Sequence, residues 1–379
     1  MKWYRRIAGF LFIIFIFGFA AAALFQPDRA YSPAEKRNLT QFPALSLRTI
    51  ADGSFMDRME DYAADQFPLR DTFMRLKTRL SILRGSVESQ GVYRCEDGSL
   101  MERFDAPDRE NYKETLAAIS AFSARYKGPD MYFMLVPNAV SVYPEKLPDH
   151  APTEDQNAYM DRFYKDLPLS IRALDLRNDL NAAAADTQLY YASDHHWTTD
   201  AALIAFMNYK KTAGLDNVPP FHCSVIANDF TGSLVSESGF SVPAPDAITV
   251  YLPEEPEDFY YTVSYTNENL RRASCYETEK LKEDDKYQVF FGGNHPIIEI
   301  NTSLDSTRSL LVIKDSYANC FLPFLVPEYR SVTVVDPRYY YDDIDVLMES
   351  RGFTDVLFLY NVNTFAEDTN LKTVLKNAQ

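Results

Sequence analysis

The stretch Ser309-Leu-Leu-Val-Ile-Lys-Asp-Ser-Tyr317 decides the reading of the fold. Consecutive aliphatic residues between polar ones mark a strand buried on both faces, and such strands belong to parallel sheets covered by helices. Lys314-Asp315-Ser316 then ends the run, and open α/β sheets collect their functional residues at the carboxyl ends of strands. The pattern recurs at Met131–Val136, closed by Pro137-Asn138. It recurs again at Ser331–Val335, before Asp336-Pro337-Arg338, and at Asp355–Leu359, before Tyr360-Asn361. Asn111–Tyr126 and Asp155–Leu167 read as helices. Thr198 or Thr199 caps another that reaches about Ala213, with Asp200 in its first turn. Strands alternating with helices predict an α/β fold: a parallel sheet flanked by helices on both faces.

Outward from this frame, a further strand is expected to end near Tyr190-Tyr191, just before Ser193-Asp194-His195-His196-Trp197. Gly91–Phe104 reads as a hairpin turning at Asp97-Gly98. Ile50–Leu83 reads as two helices, broken at Phe67-Pro68-Leu69 because proline disfavours helix in the residue before it. Residues 219–300 carry proline clusters, the acidic run Glu254–Asp258 and the β-rich Tyr261–Tyr265. They read as an inserted, loop-rich excursion that shapes a substrate groove.

At the N-terminus, Lys2, Arg5 and Arg6 precede an uncharged apolar run, Ile7–Phe25. Its length, roughly 28 Å as a helix, matches the hydrocarbon thickness of a bilayer. The basic flank predicts that everything after Gln26 lies outside the cytoplasm. Ala20–Ala23 also offers a signal-peptidase site, but the run exceeds a usual signal h-region, which favours an uncleaved anchor. The organisation expected is therefore an anchor (or signal peptide) at 1–26, a stalk and helical segment at 27–90, and a catalytic domain at 91–379 containing the excursion 219–300.

The formal net charge of −16 opposes binding to a phosphate backbone and excludes nucleic acid as a partner. The high aromatic content, 25 Tyr and 26 Phe, suits core packing or a surface that stacks on sugar rings. Cys95, Cys223, Cys275 and Cys320 allow three pairings, between which sequence does not choose. No close Cys-x-x-Cys pair points to a zinc ribbon or a thioredoxin-type centre.

Ser316 has the setting of a nucleophile: a serine at a tight strand-to-helix turn, where backbone amides can stabilise an oxyanion. A neutral hydroxyl needs a base, histidine suits that role near neutral pH, and a carboxylate must orient the imidazole. His196 and Asp194 fit as base and orienter. A metal on Asp194, His195 and His196 is the weaker reading, because adjacent histidines on extended backbone point to opposite sides. No His-Glu-x-x-His helix exists, and His150, His222 and His295 lack ligand spacing. His195 is left with a packing or hydrogen-bonding role, and no metal or cofactor is expected.

Asp194-His195-His196-Trp197 matches the motif that names the DHHW protein family, and is similar to the Asp-x-His-Trp segment of the SGNH-like alginate O-acetyltransferases. Further signatures follow in the family's order. They are Glu35-Lys-Arg37-Asn-Leu39 with Phe42-Pro43, then Asp65-Gln-Phe67-Pro68-Leu-Arg70. Pro137-Asn138 with Tyr143-Pro144-Glu145 and Leu147-Pro148 comes next, then Val312-Ile-Lys314-Asp315-Ser316-Tyr317.

The resemblance implies an SGNH-hydrolase-like parallel sheet in which the Asp-His element precedes the serine, a permuted motif order. It implies Ser316 as nucleophile, His196 as base, Asp194 as orienter and Asn361 as an oxyanion donor. Asn294, in Gly292-Gly293-Asn294-His295, is a second candidate donor, and Tyr317, Arg338 and Tyr339 are candidate substrate contacts. The expected activity is extracytoplasmic polysaccharide O-acetylation, with a membrane-bound O-acyltransferase partner as the acetyl source. Acetyl-ester hydrolysis and non-catalytic polysaccharide assembly are the rivals. One departure stands out: Lys314 occupies the place of the usual glycine of Gly-Asp-Ser, which would strain the turn if it required positive φ.

Overall fold

The computed structural model describes residues 2–32, 37–46, 49–50, 53–105, 107–215, 219–254 and 259–376. The chain divides into two compact units, Met1–Gln90 with Ser236–Phe240, and Gly91–Val235 with Ser241–Gln379. Glu35-Lys36 of the first signature and residues 255–258 of the acidic run lie outside the described residues.

In the first unit, α1 (Lys2–Phe25) carries the apolar run. Among the described residues, no helix is long and apolar enough to cross a membrane, so the expected span stands on the sequence. Helices α2 (Ser54–Asp65) and α3 (Arg70–Leu83) are separated by Phe67-Pro68-Leu69, and Leu69 takes a left-handed φ of 60° as the cap of α3. Asp65 and Gln66 fasten the preceding stalk. Asp65 accepts the Thr40 N–H at 2.8 Å, and Gln66 both accepts from and donates to the Arg29 backbone at 2.9 Å.

The second unit opens with the hairpin β1 (Val92–Arg94) and β2 (Leu100–Glu102). Helix α4 (Arg109–Arg125) starts at Asp108, whose carboxylate accepts the Glu110 N–H. It leads into β3 (Asp130–Val136), α5 (Gln156–Asp166), β4 (Ile171–Ala173) and α6 (Thr199–Ala213), the last capped by the Thr198 hydroxyl. A long hairpin follows, β5 (Phe221–Phe230) with β6 (Asp246–Pro253), then β7 (Tyr261–Tyr265), β8 (Leu270–Arg272) and β9 (Ile297–Thr302). The chain ends with β10 (Ser309–Lys314), β11 (Ser331–Val335), α7 (Ile344–Arg351), β12 (Asp355–Asn361), α8 (Val362–Glu367) and α9 (Asn370–Lys376).

Eight strands form the central sheet in the order β8-β7-β9-β11-β10-β12-β3-β4. The run from β11 to β4 is parallel, whereas β9, β7 and β8 extend it antiparallel. Side chains alternate between two cores, as a period of two requires. Tyr132, Met134 and Val136 of β3 join α6 on one face, while Met131, Phe133 and Leu135 join α4, α5 and α9 on the other.

Two expectations are corrected here. Residues 219–300 are not merely loop-rich: the described part supplies the β5–β6 hairpin and the three antiparallel strands of the sheet. The strand expected to end near Tyr190-Tyr191 is not formed; a single bridge between Tyr190 and Trp197 closes that segment into a turn. All four cysteines are free thiols, with Cys223 exposed and the others buried.

Candidate active site

Ser316 follows β10 directly, at the turn into the short helix Ala318–Phe321. The turn is braced from below by Asp315. Its Oδ1 accepts the Tyr317 N–H at 2.8 Å, and its Oδ2 accepts both the backbone N–H and the Nδ2 of Asn361 at 2.7 Å. Burial pushes the Asp315 carboxyl up to about 7, against the pull of Arg338 and of these N–H donors. The Ser316 N–H has no partner among the described residues and is the turn's open donor.

The loop Ser193–Trp197 meets this turn from the opposite side. His196 Nε2 lies 2.9 Å from Ser316 Oγ, and His196 Nδ1 lies 2.5 Å from Asp194 Oδ1. All three side chains are buried. Burial alone would raise the Asp194 pKa. The His196 and His195 imidazoles and the bonds from His196 and the Ser233 N–H outweigh it and hold the carboxyl well below the usual range. Trp197, fully buried, donates from Nε1 to the Tyr317 carbonyl at 2.9 Å, tying the loop to the serine turn.

Residues 219–300 complete the loop's support. Asp246 accepts the N–H groups of Ala192 and Ser193 at 2.9 Å. Gly232 N–H donates to Ser193 Oγ at 2.9 Å, and a Cβ on Gly232 would stand 2.2 Å from Asp194 Cβ. Tyr287 stacks on His196 with ring centroids 3.8 Å apart and planes 15° from parallel, and its hydroxyl donates to the Ser316 carbonyl at 3.2 Å. His195 covers the imidazole too, at 3.9 Å and 34°, while its own Nδ1 meets Ser233 Oγ at 2.8 Å. None of Gly232, Ser233, Asp246 and Tyr287 carries a motif that would have singled it out.

Lys314 resolves the departure from glycine. It ends β10 without positive φ, so the turn carries no strain there. Its fully buried ammonium donates to Asn294 Oδ1 and Asn319 Oδ1 at 2.9 Å and to Asp336 Oδ2 at 3.2 Å. Burial lowers the Lys314 pKa, and the Asp336 charge opposes that. Arg338 completes the cluster, with Nε 2.9 Å and Nη2 2.6 Å from the Asp336 carboxylate.

Two expected roles need correction. Both Nδ2 donations of Asn361 go to Asp315 and Thr364, and its Oδ1 caps α8, so it supports the turn and offers no donor to an oxyanion. Tyr317 is buried, its hydroxyl donating to the His195 carbonyl at 2.5 Å and accepting from Asn138 Nδ2 at 3.1 Å; it braces the motif loop and meets no substrate. Arg338 is joined to the serine turn through Asp336, and Tyr339 is exposed beside it, without a bond to Ser316, His196 or Asp194 among the described residues. Asn294 is exposed, and its Nδ2 has no partner among the described residues.

Candidate ligand atoms of Asp194, His195 and His196 lie within 4.8 Å of one another. Both nitrogens of His196 are nevertheless directed at Asp194 and Ser316. That donor set suits proton transfer better than metal ligation.

The sequence profile of the DHHW protein family matches residues 110–335, more than half of the chain. The chain belongs to the DHHW family. It is 26% identical over 176 residues to a probable alginate O-acetylase AlgJ of Pseudomonas syringae pv. tomato, covering 45% of each chain. It is 25% identical over 263 residues to that of Pseudomonas fluorescens, covering 67% of this chain and 64% of the relative. The chain thus spans less than two thirds of the length of these curated relatives.

Among solved structures, a DHHW family protein from Eubacterium siraeum superposes with a TM-score of 0.64 at 21% identity, over 77% of this chain and 96% of that one. Bacillus cereus PatB1, solved with a sulfonyl adduct, gives a TM-score of 0.62 at 18% identity, over 75% and 97%. At these identities the likeness is one of fold.

Proposed function

We propose that this DHHW protein is a membrane-anchored, extracytoplasmic O-acetyltransferase that acetylates a polysaccharide through an acyl-enzyme on Ser316. The observation that carries the proposal is the 2.9 Å approach of Ser316 Oγ to His196 Nε2, with Asp194 on the far nitrogen at 2.5 Å. The names of the AlgJ relatives support the polysaccharide acceptor. The uncharged run Ile7–Phe25 behind a basic flank supports the anchor and its orientation.

In this reading, Ser316 Oγ attacks the acetyl carbonyl as its proton passes to His196 Nε2. The bond from the acetyl carbon to the donor then breaks, and the leaving group takes that proton away. Asp194, ionised, stabilises the imidazolium between these steps. An acceptor hydroxyl next attacks the Ser316 ester and gives its proton to Nε2, which returns it to Oγ as the ester bond breaks. The Ser316 N–H and Asn294 Nδ2 serve as oxyanion donors. The acetyl source is a membrane-bound O-acyltransferase, and a shared membrane raises the effective concentration of one beside the other.

The test uses the full chain in lipid nanodiscs with an activated acetyl ester and an oligosaccharide acceptor. Acetylated oligosaccharide is expected, together with an acetyl adduct whose mass maps to Ser316. Ser316→Ala should lower transfer by about 10⁴-fold or more with unfolding unchanged. Full activity in that variant sinks the mechanism. Acetate release that ignores the oligosaccharide assigns the site to hydrolysis instead.

A further inference from the structure

Helix α3 has a face that the proposed acetyl transfer does not use. Phe73, Leu76, Leu80 and Leu83 are 39%, 50%, 46% and 82% exposed. At 100° per residue these four positions fall within an arc of about 80°. Thr78, on the opposite side of the helix, is buried, within 3 Å of where a Cβ on Gly239 would lie. The stripe therefore points away from the Thr78 side of the helix, and its first residue, Phe73, meets Phe19 of α1.

Charge sharpens the picture. Residues 70–84 hold five Lys or Arg and one Asp, in a chain whose net charge is −16. Asp71 is paired with Arg29 at 2.8 Å. Lys77, Arg79 and Arg84 are exposed and enter no ion pair among the described residues. By the same helical geometry they flank the apolar stripe, at about 60–80° to either side of its centre. A narrow apolar stripe bordered by long basic side chains is the arrangement of a helix lying in a membrane interface, its aliphatic stems in the acyl boundary and its charges among headgroups.

The neighbouring apolar helix gives the depth. Phe19 of α1 packs on Phe67 and Phe73, with ring centroids 5.6 and 5.7 Å away. It lies six residues before Phe25, the end of the apolar run, or about 9 Å along a helix. Interfacial helices bury their apolar face about 5–10 Å below the headgroups. The Phe19 contact therefore puts the Phe73 end of the stripe at that depth.

We infer that α3 is an interfacial helix that lies along the outer leaflet of an anionic bilayer, with Phe73, Leu76, Leu80 and Leu83 in the acyl boundary and Lys77, Arg79 and Arg84 on phosphate headgroups. This rests on the anchor reading above, since α1 must occupy the same membrane. The occupant is anionic lipid rather than a second copy of this chain, because the flanking charges are all of one sign. A helix pair formed with a second copy of α3 would set like charges against each other across the seam.

The experiment uses the full chain in nanodiscs, with Cys223→Ser to remove the exposed thiol and a nitroxide on Leu80→Cys. In phosphatidylglycerol discs the label should be relaxed by dissolved oxygen and shielded from a water-soluble nickel chelate. Lys77→Glu with Arg79→Glu should raise its exposure to the chelate at least threefold in those discs, with little change in neutral phosphatidylcholine. A label fully open to the chelate overturns the inference. So does dipolar broadening that disappears on dilution with unlabelled chain, which would mean that a second α3 covers the stripe. A chain that separates from the discs refutes the anchor, whereas a disc-bound chain with a wet Leu80 refutes only the interfacial helix. Acetyl transfer measured in the same discs reports on Ser316 independently of both.

Discussion

The carboxyl ends of the parallel strands and the segment 219–300 build one site by different means. The strand ends supply polar side chains that the sequence singles out: Ser316 after β10, and its supports Asp336 after β11 and Asn361 at the end of β12. The segment supplies mostly geometry. It contributes a backbone N–H from Ser233, the missing Cβ of Gly232, the carboxylate of Asp246 under the motif loop, and the ring face of Tyr287. Reactive groups belong to a small alphabet of residue types, whereas what holds them in register is drawn from any residue with the right shape. The contrast predicts that damage on the strand side costs stability and on the segment side costs alignment.

The largest expected effect tests the strand side. Among the described residues, Asp336 is the one carboxylate in an ion pair with the fully buried Lys314, and it also binds Arg338. Asp336→Asn would leave a buried ammonium without its ion-pair partner, at a cost of about 3–5 kcal/mol in denaturant unfolding at pH 7. Burial opposes ionisation of Asp336, but Lys314 and Arg338 outweigh it and depress its pKa. Its contribution is therefore present above the unfolded value of about 3.9 and is lost as pH falls through the lower folded value, so wild type and variant should converge in acid. Equal stability at pH 7 would break the contrast on this side.

Gly232→Ala tests the segment side. The new methyl would stand 2.2 Å from Asp194 Cβ and 2.4 Å from its Oδ2, so Asp194 or the backbone at position 232 must shift and the carboxylate's register on His196 is disturbed. Misplacement on that scale lowers turnover by about 100-fold. Single-turnover acylation of Ser316 measures it, and unchanged acylation would mean that Asp194 does not need the position the segment gives it.

How much of this was legible follows the same division. The parallel strands at 131–136, 309–313, 331–335 and 355–359 were visible because burial on both faces leaves unbroken aliphatic runs. Ser316, His196 and Asp194 were singled out because their residue types and order resemble a family, and the fold brings the three side chains together. The antiparallel edge was hidden: β7 alternates weakly, β8 spans three residues, and the prolines and charges between them read as loop. Tyr190-Tyr191 looked like a strand because aromatic residues favour sheets, but their rings serve the core beneath a turn. Asn361 looked like a donor from its place at a strand end; its amide is consumed by Asp315 and the α8 cap, which only coordinates reveal.

The smallest effect probes the segment's ring. Tyr287 lies against one face of His196, whose other charged and titratable neighbours are Asp194, His195 and Tyr317. Its phenol is held protonated by burial, so the hydroxyl remains a donor to the Ser316 carbonyl. An aromatic face on an imidazole favours the imidazolium that the proposed acylation would form, an effect worth roughly 1–2 kcal/mol when desolvated. Tyr287→Leu, which removes both the ring and its hydroxyl, should therefore lower kcat about thirtyfold at unchanged KM. Tyr287→Phe keeps the ring and loses one neutral hydrogen bond, so it should cost only about threefold. If Phe is as damaging as Leu, the hydroxyl and not the stack is the segment's contribution. If neither lowers kcat, Tyr287 packs the core without serving the base, and alignment of His196 rests with Asp194 and His195.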